Sequence, residues 1–309
     1  MRLIRLTGYC RPMRNSESNS DQPFAGTYRS SDEILANPRF PDALTAFIEA
    51  VLRLYEDDPL LTRLLLEAGR QVMFSIIICL HVRYKEADRA TWPTMSLLQQ
   101  SMTQFGLSSP RRIEALVARL IRFGFLKSVA AKSDRRFHIL TPTAKMVAHD
   151  LDWLAAHYLP LHVMFPDDRY APAIKRDPSF QRTQRLAAIS FFGRGAELLA
   201  SNQAVMLFLS RDAGVMILMK LIQMADAGDG KSPTRLSYDD IGSRFGVSRT
   251  HVRKILQDAE QAGLVHLSGR GGRLVELMPS VRQAFARFVA DSMSGHDLLF
   301  QIATKQMTD

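Results

Sequence analysis

The side chains in this 309-residue sequence that could do chemistry are mostly cations gathered in short runs. Arg249, Thr250, His251, Arg253 and Lys254 follow directly on Ser248, and Arg270 and Arg273 stand in a Ser-Gly-Arg-Gly-Gly-Arg run a little further on. A similar pair of clusters occurs earlier: Ser109, Arg111 and Arg112, then Lys132, Asp134, Arg135 and Arg136. Arginine and lysine neutralise phosphates, while arginine, threonine and histidine can hydrogen-bond base edges in a groove. The chemistry expected is therefore equilibrium binding of duplex DNA. His251 reads as a base or phosphate contact rather than a pH switch.

Other chemistries fit less well. Gly228-Asp-Gly-Lys-Ser resembles the end of a phosphate-binding loop, but position 225, where the first glycine belongs, is Ala225, and the run follows helical rather than strand periodicity. His149, Asp152, His157 and His162 do not place three ligands on one helical face, so no metal is expected. No serine, cysteine or carboxylate pair has a base-and-orienter context, so neither an enzyme nor a cofactor is expected.

The elements that must position these cations can be read locally. Leu236 to Arg244 is a short helix with Ser237 at its N-cap and Gly246 beyond its end. Ser248 caps the next helix, whose buried stripe is Val252, Ile255, Leu256 and Ala259. Gly263 stops it, and Val265–Leu267 and Leu274–Leu277 are strands around a glycine-rich hairpin tip. In the first half, residues 96–104 form a short helix. Ser109-Pro110 starts the next, with Ile113, Leu116, Val117 and Leu120 buried and Gly124 as its stop. A second basic hairpin follows around Lys132 to Arg136.

This is an internal repeat. Pro93-Thr94, Phe105-Gly106 and Ser108 recur as Pro233-Thr234, Phe245-Gly246 and Ser248, with Gly124 answering Gly263 and Pro142 answering Pro279. The charge follows the repeat. Residues 109–136 hold eight basic and two acidic side chains and residues 248–275 hold five and two, a surplus equal to the whole formal net charge of +9. Confinement of the excess to both candidate reading surfaces points to phosphate neutralisation.

Length suggests two domains, and 46% hydrophobic with 23% charged residues is an ordinary globular composition. Residues 1–36 are expected to be a disordered tail, 37–158 a first unit, 159–178, with Pro160, Pro166, Pro172 and Pro178, a linker, and 179–309 a second unit. Single helices are predicted from Leu60 to Lys85, Phe180 to Leu199 and Ala204 to Ala227, and two closing helices over Val281–Met293 and Asp297–Lys305. The long apolar helices are expected to pack as core within the chain or against a second copy, so self-association stays open. Cys10 and Cys79 form no motif, and no signal peptide or membrane span is evident, so a cytoplasmic location without membrane partners is expected.

The run Ser133-Asp-Arg-Arg-Phe-His-Ile-Leu-Thr-Pro-Thr-Ala resembles the wing of the MarR-type winged helix family, over about 60 residues of the first unit. Ala144 replaces that family's usual glycine, Met102 stands where a small residue is usual, and the second hairpin lacks the Asp-Arg pair. The resemblance implies a mainly α fold with two small antiparallel β-wings, tandem winged helix-turn-helix domains set in a helical frame. It also implies that Asp134 orients Arg135 or Arg136 toward a minor groove, and that a small aromatic effector could bind between frame and reading unit. Since relatives work as homodimers, one chain with two units is expected to act as a transcription-regulating pseudo-dimer on an imperfect palindrome, its reading helices about one DNA turn (~34 Å) apart. A plasmid replication initiator with tandem winged helices and a winged-helix protein-interaction scaffold are the alternatives.

Overall fold

The computed structural model describes residues 27–56, 58–228 and 233–308. The chain is mainly helical, with two small antiparallel sheets. In order the elements are α1 (Ser31–Ala36), α2 (Phe40–Tyr55), α3 (Pro59–Leu65), α4 (Ala68–Arg83), α5 (Met95–Thr103), α6 (Pro110–Arg122), β1 (Leu126–Ala130), β2 (His138–Pro142), α7 (Ala144–Met164), α8 (Ala171–Ile174), α9 (Pro178–Ala188), α10 (Phe192–Ser201), α11 (Gln203–Leu209) and α12 (Gly214–Asp226), then β3 (Thr234–Arg235), α13 (Tyr238–Arg244), α14 (Arg249–Gln261), β4 (Val265–Ser268), β5 (Leu274–Leu277) and α15 (Pro279–Thr308).

Local signals set most of these boundaries. Ser109 and Ser248 each accept a backbone N–H from three residues on, at Arg112 and His251, and so satisfy orphan donors at the starts of α6 and α14. The stripes Ile113, Leu116, Val117, Leu120 and Val252, Ile255, Leu256, Ala259 are buried. Each large aliphatic among them contributes about 1.5–3 kcal/mol on leaving water. β1 and β2 pair from Leu126–Pro142 to Ala130–His138, and β4 and β5 from Val265–Leu277 to Ser268–Leu274. The short strand β3 adds to the outer edge of β5, a pairing with no sequence counterpart.

Several expectations need correction. The helix α1 lies inside the stretch expected to be a disordered tail. Ser30 and Glu33 form a capping box, Ile34 is buried, and the Arg29 backbone N–H donates to Asp297 at 2.8 Å. Residues 1–26 of that stretch lie outside the described residues, as do residues 229–232 of the loop-like Gly-Asp-Gly-Lys-Ser run. The expected linker over 159–178 begins as helix: α7 runs through Pro160 to Met164, and α8 and the start of α9 fall within it. The predicted helix from Leu60 to Lys85 is two helices, α3 and α4, bent by 87°. The helix predicted over Phe180–Leu199 breaks at a 3-10 turn, Ile189–Phe191, and the one over Ala204–Ala227 breaks at Ala213, which has φ 56°. Conversely, the two closing helices are one, α15, which continues through Gly295 because Asp297 is buried and hydrogen-bonded at its middle by the Tyr170 hydroxyl at 2.7 Å.

One contiguous hydrophobic cluster extends from Ile34 to Ala303. α15 packs against α1, α7 and α9, and α2 packs against both α7 and α12, so first-half and second-half helices share a core. Within it a buried ion pair, Asp150 with Arg185 (Nε–Oδ2 3.0 Å, Nη2–Oδ1 2.6 Å), joins α7 to α9, and Gln181 donates to the same carboxylate at 2.7 Å. No single helix among the described residues is long and apolar enough to cross a membrane.

Candidate nucleic-acid interface

Each half of the chain presents the same order of elements: a short helix, a turn with glycine at positive φ, a second helix with a serine cap, and a hairpin. In the second half, α13 and α14 approach closely. A Cβ on Gly242 would stand 2.6 Å from the Val247 carbonyl oxygen, so only glycine fits there. The equivalent position in the first half is Met102, which is 1% exposed. The contact between α5 and α6 therefore accommodates a long buried side chain where that between α13 and α14 has none.

The cations distribute unevenly. Arg111 and Arg112 are exposed at the start of α6, and Arg249, Thr250, Arg253 and Lys254 on the first two turns of α14. Lys254 is paired with Asp258 one turn on at 2.8 Å, and Arg249 lies 3.7 Å from Asp239. His251 points elsewhere: its Nε2 is 2.9 Å from the Asp212 carbonyl oxygen, so the ring is spent on the connection between α11 and α12. In the second hairpin, Arg270 and Arg273 are exposed at a tip built on Gly269, Gly271 and Gly272, all at positive φ. The Tyr238 hydroxyl donates to the Gly272 carbonyl and ties that tip to α13.

The first hairpin is held more firmly. Asp134 accepts from Arg136 at its backbone N–H (3.2 Å), Nε (3.0 Å) and Nη2 (2.8 Å), and from Arg89 Nη2 at 3.0 Å. The Arg136 hydrogen bonds, above all, hold the Asp134 carboxyl well below the usual carboxylate range. Of the two arginines the resemblance left open, Arg136 is the one that Asp134 orients, and its side chain remains 84% exposed. Lys132 and Arg135 flank it. Behind the hairpin, Trp92 packs edge-on against Phe137 and is buried with Ile139, while Glu86 accepts the Ser133 backbone N–H and hydroxyl at 2.9 and 2.8 Å.

Sequence reasoning missed the seam between the two halves. Arg63 Nε donates to the Gly246 carbonyl at 2.6 Å, Arg119 Nη2 donates to the Arg63 carbonyl at 3.1 Å, and Arg70 is paired with Asp212. These contacts fix the C-terminal part of α6 beside the turn before α14. Arg63, Arg70 and Arg119 carry no motif; their role follows from the bend between α3 and α4, which has no local signal.

No family model, curated protein or solved structure matches this chain.

Proposed function

We propose that this chain is a sequence-specific double-stranded DNA-binding transcription regulator, built of two MarR-like winged helix-turn-helix units in a helical frame and acting as a pseudo-dimer without catalysis. The observation that carries this reading is the repeated helix-turn-helix-hairpin order with exposed arginines at both capped helix starts and both hairpins. A helix fits the major groove by its N-terminal residues, and a basic hairpin beside it reaches phosphates or the minor groove.

In this reading α6 and α14 are the reading helices. Arg111, Arg112, Arg249, Thr250 and Arg253 face base edges, while Ser109 and Ser248 cap the helices whose starts approach phosphates. Lys132, Arg135, Lys254, Arg270 and Arg273 neutralise phosphates, and Arg136, braced by Asp134, enters a minor groove. His251 keeps the turn before α12 in place beside α14. The target is an imperfect palindrome, because the halves differ in both helix and hairpin, and the work is done in the cytoplasm. Sequencing the genomic fragments that the purified chain retains tests this. Recovery of one recurring two-part site is expected; recovery of unrelated fragments at the frequency of bulk DNA would refute sequence-specific regulation.

A further inference from the structure

A cleft of about 370 Å³ opens along the seam between the two halves, and most of the side chains that line it are polar. Arg63, Arg70 and Arg119 come from the first half, and Asp212, Ser248 and His251 from the second. Three guanidiniums therefore share one recess with a single carboxylate among the described lining residues. Charges of one sign gathered in a recess are costly unless something neutralises them.

How the three cations are held decides what the cleft can take. Arg70 is satisfied: Asp212 pairs with its Nη2, and Glu67 lies 3.4 Å from its Nε. Arg63 and Arg119 form no ion pair with a described carboxylate. Arg63 Nε donates to the Gly246 carbonyl at 2.6 Å and Arg119 Nη2 to the Arg63 carbonyl at 3.1 Å, contacts that orient both guanidiniums and neutralise neither. Arg70 Nη1 donates to the same Arg63 carbonyl at 2.6 Å, so two cations converge on one uncharged oxygen. Burial first, and Arg70 next, pull the Arg119 guanidinium below its ordinary value. Nη1 and Nη2 of Arg63, and Nε and Nη1 of Arg119, keep N–H groups with no partner among the described residues. The 13-residue helix α14 begins at the same wall. Ser248 accepts the His251 N–H at 3.1 Å and retains its own hydroxyl proton to donate, and the positive end of the helix dipole adds to the field. His251 Nε2 is engaged with the Asp212 carbonyl at 2.9 Å.

An apolar ligand would leave these donors unpaired, and a cation would be repelled. A phosphate supplies the missing negative charge, with oxygens that a guanidinium fork pairs two at a time. We propose that the seam cleft is a phosphate-binding site, in which Arg63 and Arg119 of the first half and the Ser248 hydroxyl of the second hold the oxygens. Because its donors come from both halves, a bound phosphate ties α6 to the start of α14. The phosphate belongs to a free phosphorylated small molecule or to a nucleic-acid backbone, and the two sources give different results below. The site stands on its own geometry and does not require that the chain bind DNA.

The test titrates inorganic phosphate into the full chain by calorimetry, with ionic strength held constant by sodium chloride. Saturable one-to-one binding is expected, with a Kd on the order of 1 mM or tighter. Arg63→Gln and Arg119→Gln should each weaken it by roughly tenfold. Lys175→Gln, which removes the same charge from an exposed position outside the cleft, should leave it unchanged. Arg119→Lys keeps the charge and loses the fork, so it should weaken binding by less than Arg119→Gln, and it serves where a glutamine variant fails to fold. A labelled duplex is then titrated with and without phosphate at the same ionic strength. If the seam takes a backbone phosphate, free phosphate competes and duplex affinity falls, an effect lost in Arg119→Gln; if it takes a free phosphorylated molecule, duplex affinity does not fall. A chain that binds phosphate and no duplex would refute the DNA reading and leave this site standing. Phosphate heat that does not saturate, equal losses for Lys175→Gln and Arg119→Gln, or full phosphate binding by both glutamine variants would each overturn the proposal.

Discussion

Neutralising Arg253 should alter DNA binding far more than neutralising its neighbour Lys254, and the size of the difference follows from the ion pairs. Among the proposed contacts, Arg111, Arg112, Lys132, Arg135, Arg253, Arg270 and Arg273 form no ion pair with a described carboxylate, whereas Arg136, Arg249 and Lys254 each have one. On a duplex of arbitrary sequence the arginines proposed to face base edges find no matching bases and meet phosphates instead; with every unpaired cation on one phosphate, log K falls with log salt at a slope of about −6, since each phosphate neutralised contributes about −0.9. Arg253→Gln should shallow that slope by about 0.9. Lys254→Gln should change it by less, because Asp258, left without its lysine, sits 3.0 Å from Arg211 and is not released toward the DNA. The assay is fluorescence anisotropy on a labelled duplex of arbitrary sequence across a salt series, which isolates the backbone contribution. A slope that is flat in the unaltered chain, or equal losses for the two variants, would refute this assignment of free and spent cations.

Other consequences concern the frame and the reading units. Asp150→Ala leaves the Arg185 guanidinium buried without its counter-charge and should cost about 3–5 kcal/mol in urea unfolding, whereas Asp150→Leu combined with Arg185→Met should recover most of it. Gly242→Ala places a methyl 2.6 Å from the Val247 carbonyl oxygen, so α14 must shift. A loss of about 1–3 kcal/mol with weakened DNA binding is expected, and unchanged melting would contradict the close approach of α13 to α14. Stability should fall as pH drops from about 6.5 toward 4. Burial lowers the folded-state value of His157 and takes that of His296 to about 4, so in that window the unfolded rings hold protons that the folded rings do not. Each ring then contributes up to about 1.4 kcal/mol per pH unit; urea midpoints should shift with pH, and less steeply for His296→Phe.

Much of the candidate interface was legible because its signals are local. A serine cap, a four-residue stripe and a glycine stop define α6 and α14 without reference to the rest of the chain, and glycines at positive φ mark both turns. The frame was less legible because long-range contacts override local signals there. Pro160 reads as a linker residue but is buried within α7, and Ser294-Gly295 reads as a break but lies inside α15, where Tyr170 and Arg29 hold Asp297. His251 has the position of a DNA contact, and only the return of α11 and α12 beside it places the Asp212 carbonyl within reach.

The most direct measurement of whether one chain grips one duplex with both halves is affinity against the spacing of the recovered site. Duplexes carrying the two half-sites at native spacing are compared with duplexes in which about five base pairs, half a helical turn, are inserted between them. Affinity should drop on insertion and return when a full turn is inserted only if the chain can stretch, which the Arg63 to Gly246 and Arg119 to Arg63 contacts oppose. Equal affinity at native and half-turn spacing would contradict simultaneous engagement of α6 and α14.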